Sequence, residues 1–311
     1  MKNRLCEILG VKYPIICGAM QWVSSAALVA AVSEAGAFGI LGTADKEKEY
    51  VRNEINKIRE ATSKPFAVNI TILSKTSKDV FEVALEEKVP FIVLAAGNPA
   101  PFIPTLKEAG IPFFAIVANV KQAMKLEQLG ASFVIAEGQE AGGHIGEMTT
   151  MAMIPQIASN INIPVVAAGG IADGRGLAAA LMLGAEGIQM GTAFLASKEA
   201  EVHPNFKKAI IEANSSKVVV TGRQVNHAVR CLDNELAKAF RELDARFAKP
   251  EEYAEVGTGA AYKASQEGDV VNGSVMIGQI VGLVKHERSV SEIIQSIISE
   301  YNNLCHSLVK L

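Results

Sequence analysis

The 311-residue sequence predicts a (β/α)8 TIM barrel with a small, mainly helical insertion near its C-terminus. Three observations predict it. Eight short apolar runs precede residue 200, spaced by roughly 20 to 30 residues, which suits a βα unit. The runs are apolar at both alternations, as strands of a parallel sheet buried on both faces must be. Several of the intervening segments close on a glycine, the residue that supplies a left-handed position just past a helix. An open, doubly wound sheet is the other arrangement of such alternating elements.

The runs are PIICG from Pro14, FGILG from Phe38, PFAVNIT from Pro65 and FIVLAAG from Phe91. They continue with PFFAIV from Pro112, SFVIAEG from Ser132, PVVAAGG from Pro164 and GIQMGTAF from Gly187. Between them, SSAALVAAVSEAG starts on Ser24 and Ser25 as capping residues and closes at Gly36. PFIPTLKEAG closes at Gly110, VKQAMKLEQLG at Gly130 and GRGLAAALMLGA at Gly184. Beyond about Ala200 the texture becomes more charged and mostly helical. This divides the chain into a barrel over 1–200, a helical lid or substrate subdomain over 201–271, and a segment over 272–311 that packs back on the barrel.

With 49% apolar and 20% charged residues the chain can build a large core. A net charge of −3 with both signs dispersed argues against a nucleic-acid partner. Cys6, Cys17, Cys231 and Cys305 are scattered, without CxxC or metal-ligand spacing, and read as reduced thiols in a cytoplasmic protein that binds no metal. The N-terminus lacks a long apolar signal core and no apolar run is long enough to span a bilayer, so no membrane association is expected.

Barrel chemistry gathers where strands end. These ends read Gly18-Ala19-Met20, Gly42-Thr43, Asn69, Gly97-Asn98, Val117, Glu137 followed by Gly142-Gly143-His144, Gly169-Gly170, and Gly191-Thr192. Rich in glycine and poor in acids, they suit neither a two-carboxylate glycosidase nor a metal site. The last two runs place bare backbone where barrels bind phosphate, and a following helix start adds a favourable dipole. No GxGxxG follows the first run, so a Rossmann nucleotide site is not expected. His144 is the acid–base candidate. It follows two glycines that make room for a flat ligand, and imidazole exchanges protons near neutral pH. His203 and His227 fall in the lid and edge the site; His286 and His306 read as solvated helix residues.

The phrases YPIICGAMQWVSSAALVAAVSEAGAFGILG, KPFAVNI, AGNP, AEGQEAGGHIGEMTTM, PVVAAGGIADGRG and GAEGIQMGTAF resemble the flavin-dependent nitronate monooxygenase (2-nitropropane dioxygenase) superfamily. TGRQVNHAVRCLDN and GDVVNGSVMIGQIVGLV are closer to its enoyl-acyl carrier protein reductase II branch. The resemblance implies FMN at the barrel mouth. It sets the flavin ring against Gly18, Ala19 and Met20 with Asn69 and Glu137 nearby, Gly142 and Gly143 beside it, and the phosphate on Gly169, Gly170, Gly191 and Thr192. It also implies His144 as the active-site imidazole, NAD(P)H as co-substrate, an acyl carrier protein-linked or other small-molecule substrate, a homodimer, and for this branch a monovalent cation. In the monooxygenase branch, His144 would instead deprotonate a nitroalkane, and alkyl nitronates would be oxidised with O2. CGAM, GILGTADKEKEY and LAAGNP depart from the reductase pattern at the site mouth, which bears on substrate preference more than on flavin binding.

Overall fold

A computed structural model describes residues 3–307. Residues 1–2 and 308–311 of the expected first and last units lie outside the described residues. Eight parallel strands close into a barrel: β1 (Ile15–Cys17), β2 (Phe38–Leu41), β3 (Phe66–Thr71), β4 (Phe91–Ala95), β5 (Phe113–Val117), β6 (Val134–Glu137), β8 (Val165–Ala168) and β9 (Gly187–Met190). A two-residue strand, β7 (Gly143–His144), lies outside this ring. β1 pairs with both β2 and β9, which shuts the sheet and excludes the open arrangement.

Side chains alternate along each strand, so every second residue enters the barrel. Ile16, Phe38, Ala67, Phe114, Ile135 and Val166 belong to that interior cluster, and Leu5 and Leu9 of helix α1 (Arg4–Leu9) pack into it. The complementary residues, such as Val68, Leu94, Val134 and Ile188, pack outward against the helices. Continuing the interior alternation by two residues brings Gly18, Asn69 and Glu137 to the C-terminal end of the bore.

The expected glycine stops hold: Gly36, Gly110, Gly130 and Gly184 all have positive φ. The serine caps do not. Ser25 occupies the N-cap of α2 (Ala26–Glu34) but its hydroxyl makes no cap bond; buried Glu54 accepts the Ala26 N–H at 2.7 Å instead. Ser24 turns the other way, donating to the Gly18 carbonyl at 3.1 Å and accepting the Met20 N–H at 3.0 Å. It thereby shapes the loop after β1.

The 201–271 stretch is not wholly helical. β10 (Val218–Thr221) and β11 (Val229–Leu232) form an antiparallel hairpin whose inner strand pairs with β7. The C-terminal helix Val290–Ser307 packs against helix Gly174–Met182, and the loop before it crosses the barrel mouth.

Candidate functional site

One cavity of about 810 Å³ occupies the C-terminal mouth of the barrel, and all twelve expected site residues line it. Gly18, Ala19 and Met20 form the wall after β1. Asn69 and Glu137 project from the top of the bore, as the strand alternation requires. The Asn69 amide donates to Thr71 Oγ1 at 2.9 Å, which holds its face. Glu137 has no side-chain hydrogen bond or ion pair among the described residues, and burial pushes its carboxyl up to about 7.

The ends of β8 and β9 lie side by side. The N–H groups of Gly169, Gly170, Gly191 and Thr192 donate to no protein acceptor among the described residues. Four bare donors at one cavity wall suit a phosphate group. Backbone closeness enforces one glycine: a Cβ on Gly169 would sit 2.8 Å from the Gly138 carbonyl oxygen. The dipole of helix Gly174–Met182 is not left for a ligand, contrary to the sequence expectation. Asp173 accepts the Gly176 N–H at 3.0 Å, and Glu300 accepts the Gly174 N–H at 2.7 Å. The protein's own carboxylates cap that helix, so the bare loop amides are the donors left for an anion.

A second correction concerns the glycines before His144. A Cβ on Gly142 would come within 2.6 Å of the Ile277 carbonyl carbon and 2.8 Å of the Gly278 nitrogen. Gly142 therefore lets the C-terminal segment pass, rather than making room for a flat ligand. Gly143 takes a left-handed φ of 75°. The segment it admits is tied down: Gly278 N–H donates to Thr192 Oγ1 and Gln279 N–H to the Glu140 carbonyl, both at 2.9 Å. Glu140 also accepts from the Thr150 N–H and hydroxyl, and that hydroxyl lies 2.9 Å from the Gly169 carbonyl oxygen. This knits the loop after β6 to the amide site.

His144 presents its ring to the cavity, open to the space inside it yet densely surrounded by protein. That surrounding, and the neighbouring imidazole of His227, hold its pKa at about 4, below the ordinary histidine range. The ring is therefore neutral at physiological pH. The two Nε2 atoms are 2.6 Å apart and the rings meet edge to face. His203 does not edge the site: it caps helix Pro204–Glu212, its Nδ1 accepting the Asn205 N–H at 3.1 Å.

Sequence reasoning missed Gln189, Met276 and Gly278 in the cavity wall. Gln189 is a buried amide, without a hydrogen-bond partner among the described residues, beside Gly18. Its signal was present, as the one polar residue in an apolar strand. From the 201–271 stretch, Phe206, Ala261 and Ser265 reach the cavity. Among the described residues no three His, Cys, Asp or Glu side chains gather as for a metal, and no helix is long and apolar enough to cross a membrane.

Comparison with known proteins gives this site its context. FabK from Thermotoga maritima superposes with a TM-score of 0.95 at 42% identity, covering 98% of each chain. The nitroalkane oxidase of Streptomyces ansochromogenes has a TM-score of 0.86 at 25% identity, covering 98% of this chain and 100% of its own. A probable nitronate monooxygenase of Staphylococcus saprophyticus is 31% identical over 98% of this chain and 99% of its own length. The nitronate monooxygenase family matches residues 2–87 and 78–300. The chain belongs to the nitronate monooxygenase family.

Proposed function

We propose that this protein is an FMN-dependent reductase that uses NAD(P)H to reduce trans-2-enoyl thioesters carried on acyl carrier protein. The observation that carries the reading is the 42% identity to FabK, an enoyl-acyl carrier protein reductase II, over 98% of both chains. As a family member the chain is a flavin-dependent oxidoreductase. FMN, when bound, supplies the hydride chemistry. The choice of FMN rests on the single cluster of bare amides at Gly169, Gly170, Gly191 and Thr192, which would hold one phosphate, and on the lack of a GxGxxG fingerprint.

The remaining steps belong to the protein. Asn69, Glu137 and Gln189 offer polar groups to the edge of a flat ring at the top of the bore. Residues 201–271 act as the lid and substrate subdomain, with Phe206, Ala261 and Ser265 excluding water over the cavity. Neutral His144 manages the proton delivered to C2 of the enoyl thioester once C3 has received hydride. On the reductase reading, the protein would serve fatty-acid synthesis in the cytoplasm.

The family and the curated relatives favour a second reading, oxidation of alkyl nitronates with O2, in which neutral His144 acts as a base. Anaerobic NAD(P)H consumption separates the two. Consumption that requires crotonyl thioester supports the reductase. Oxygen uptake with alkyl nitronate and no NAD(P)H, with no thioester-dependent consumption, replaces it with the second reading.

A further inference from the structure

His144 touches a second histidine that comes from a different part of the chain, 83 residues on. The contact is built rather than incidental. His227 closes the turn between β10 and β11, and its N–H donates to the Gly222 carbonyl at 3.0 Å. Gly222 has a φ of 76°, and a Cβ there would sit 2.5 Å from the His227 carbonyl oxygen. Asn226, immediately before the histidine, is also left-handed, at φ 54°. Asp244 anchors the turn by accepting the Gly222 N–H at 2.9 Å, and Tyr253 holds Asp244 through its hydroxyl at 2.7 Å.

The hairpin is then stapled to the loop that carries His144. Val229 is in register with His144, Ile145 N–H donates to the Ala228 carbonyl at 3.0 Å, and Arg223 pairs with Glu147 at 2.6 Å. His144 lines the cavity; His227 lies outside the lining with its ring exposed. One imidazole thus faces the cavity and the next faces solvent, joined nitrogen to nitrogen.

We propose that His227 is the outer half of a two-histidine relay that carries a proton between solvent and His144. At 2.6 Å one Nε2 bears the hydrogen and the other accepts it. His144 Nδ1 has no other partner among the described residues. As His144 gives the Nδ1 proton to the substrate carbon, it takes the His227 proton through the Nε2–Nε2 bond. His227 is reloaded from water at its own Nδ1. One proton enters from solvent, one leaves to substrate, and neither ring stays charged. Two adjacent imidazolium ions would repel, so the neighbour also helps keep His144 neutral. The other charged groups nearby are the mutually paired Arg223 and Glu147, Arg230 on β11, which donates to the Gln139 carbonyl, and Glu137 and Glu140 on the cavity wall.

The proposal rests on the reductase reading for the identity of the proton acceptor, and its test separates the two. In the FMN-loaded protein labelled at histidine nitrogen, NMR titration follows His144 without turnover. His227→Ala should raise the His144 pKa toward the ordinary imidazole value; no movement overturns the coupling on which the relay depends. In stopped flow, His227→Ala should slow flavin reoxidation by crotonyl thioester by about 100-fold, the low end for groups that manage protons. Flavin reduction by NAD(P)H should keep its wild-type rate. His227→Gln keeps a hydrogen-bonding group in place but cannot pass a proton through a ring, so it should be as slow as His227→Ala. Wild-type rates in His227→Gln would reduce His227 to a prop and overturn the relay. A wild-type enzyme inert toward every enoyl thioester would sink the reductase reading, while the titration still judges the pair.

Discussion

Gly191→Val isolates the amide site at the end of β9. Gly191 has an ordinary φ of −115°, so a branched residue enters no left-handed strain. A Cβ there meets only the flexible end of Met20, with Sδ at 3.3 Å and Cγ at 3.7 Å. Gly169 and Gly170 are poorer choices, with φ of 93° and 73°. The valine side chain would stand over the bare N–H groups of Gly191 and Thr192 and hold a phosphate away from them. A hydrogen bond to a charged acceptor is worth about 1.5–3 kcal/mol. At about 1.4 kcal/mol per tenfold, losing one such bond weakens FMN binding by roughly 10- to 150-fold. The assay titrates flavin-free protein with FMN by quenching of flavin fluorescence, with a thermal melt to show that the fold survives. A folded Gly191→Val protein with wild-type affinity would refute the placement of the phosphate.

The other expectations concern His144, Glu137 and Gly142. His144→Ala should fold, keep FMN and lose about 10²- to 10⁴-fold in kcat, with the loss in reoxidation by enoyl thioester rather than in reduction by NAD(P)H; unchanged rates in both half-reactions would make the histidine structural. Glu137, with its carboxyl pushed up to about 7 in the folded state, binds its proton more tightly there than when unfolded. That contribution is present at low pH and is lost as pH rises through about 7, by about 3 kcal/mol at most. Flavin-free Glu137→Gln should therefore lack this decline when denaturant midpoints are compared from pH 4.5 to 8. His144, held low, acts with the opposite sign in both proteins, losing its contribution as pH falls below the ordinary histidine range, and so cancels from the comparison. Gly142→Ala should cost about 1–3 kcal/mol by overpacking, seen as a lowered Tm of flavin-free protein; an unchanged Tm would mean that the Ile277–Gly278 backbone yields freely.

The barrel was legible because a parallel strand buried on both faces must be apolar throughout, and the runs at Phe66, Phe113 and Val165 satisfy that without help from distant residues. The same periodicity brought Asn69 and Glu137 to the bore's upper layer. Gln189 obeys that rule too, but its glycine-rich flank drew attention to backbone instead of the side chain. Most of what escaped was nonlocal. The β-branched run Val218–Thr221 before Gly222 is a local strand signal, hidden by the charged, helical texture around it; the completion of β11 by the two-residue β7 is the part that no nearby residue announces. Gly142 is glycine because residues 277–278 pass against it. Ser25 sits at the cap with its hydroxyl unused, while Glu54, on another helix, accepts the adjacent Ala26 N–H. The contact between His144 and His227 depends on that same pairing of β11 with β7.

The central claim is the direction of electron flow at this mouth, and one mixing experiment addresses it. FMN-loaded protein is reduced anaerobically with one equivalent of NADH or NADPH per flavin, then mixed with crotonyl thioester while the flavin absorbance is followed. The account predicts full return of the oxidised spectrum with one butyryl thioester formed per chain. Flavin that stays reduced against every enoyl thioester, yet is reduced by alkyl nitronate and reoxidised by O2 in the same preparation, would contradict it.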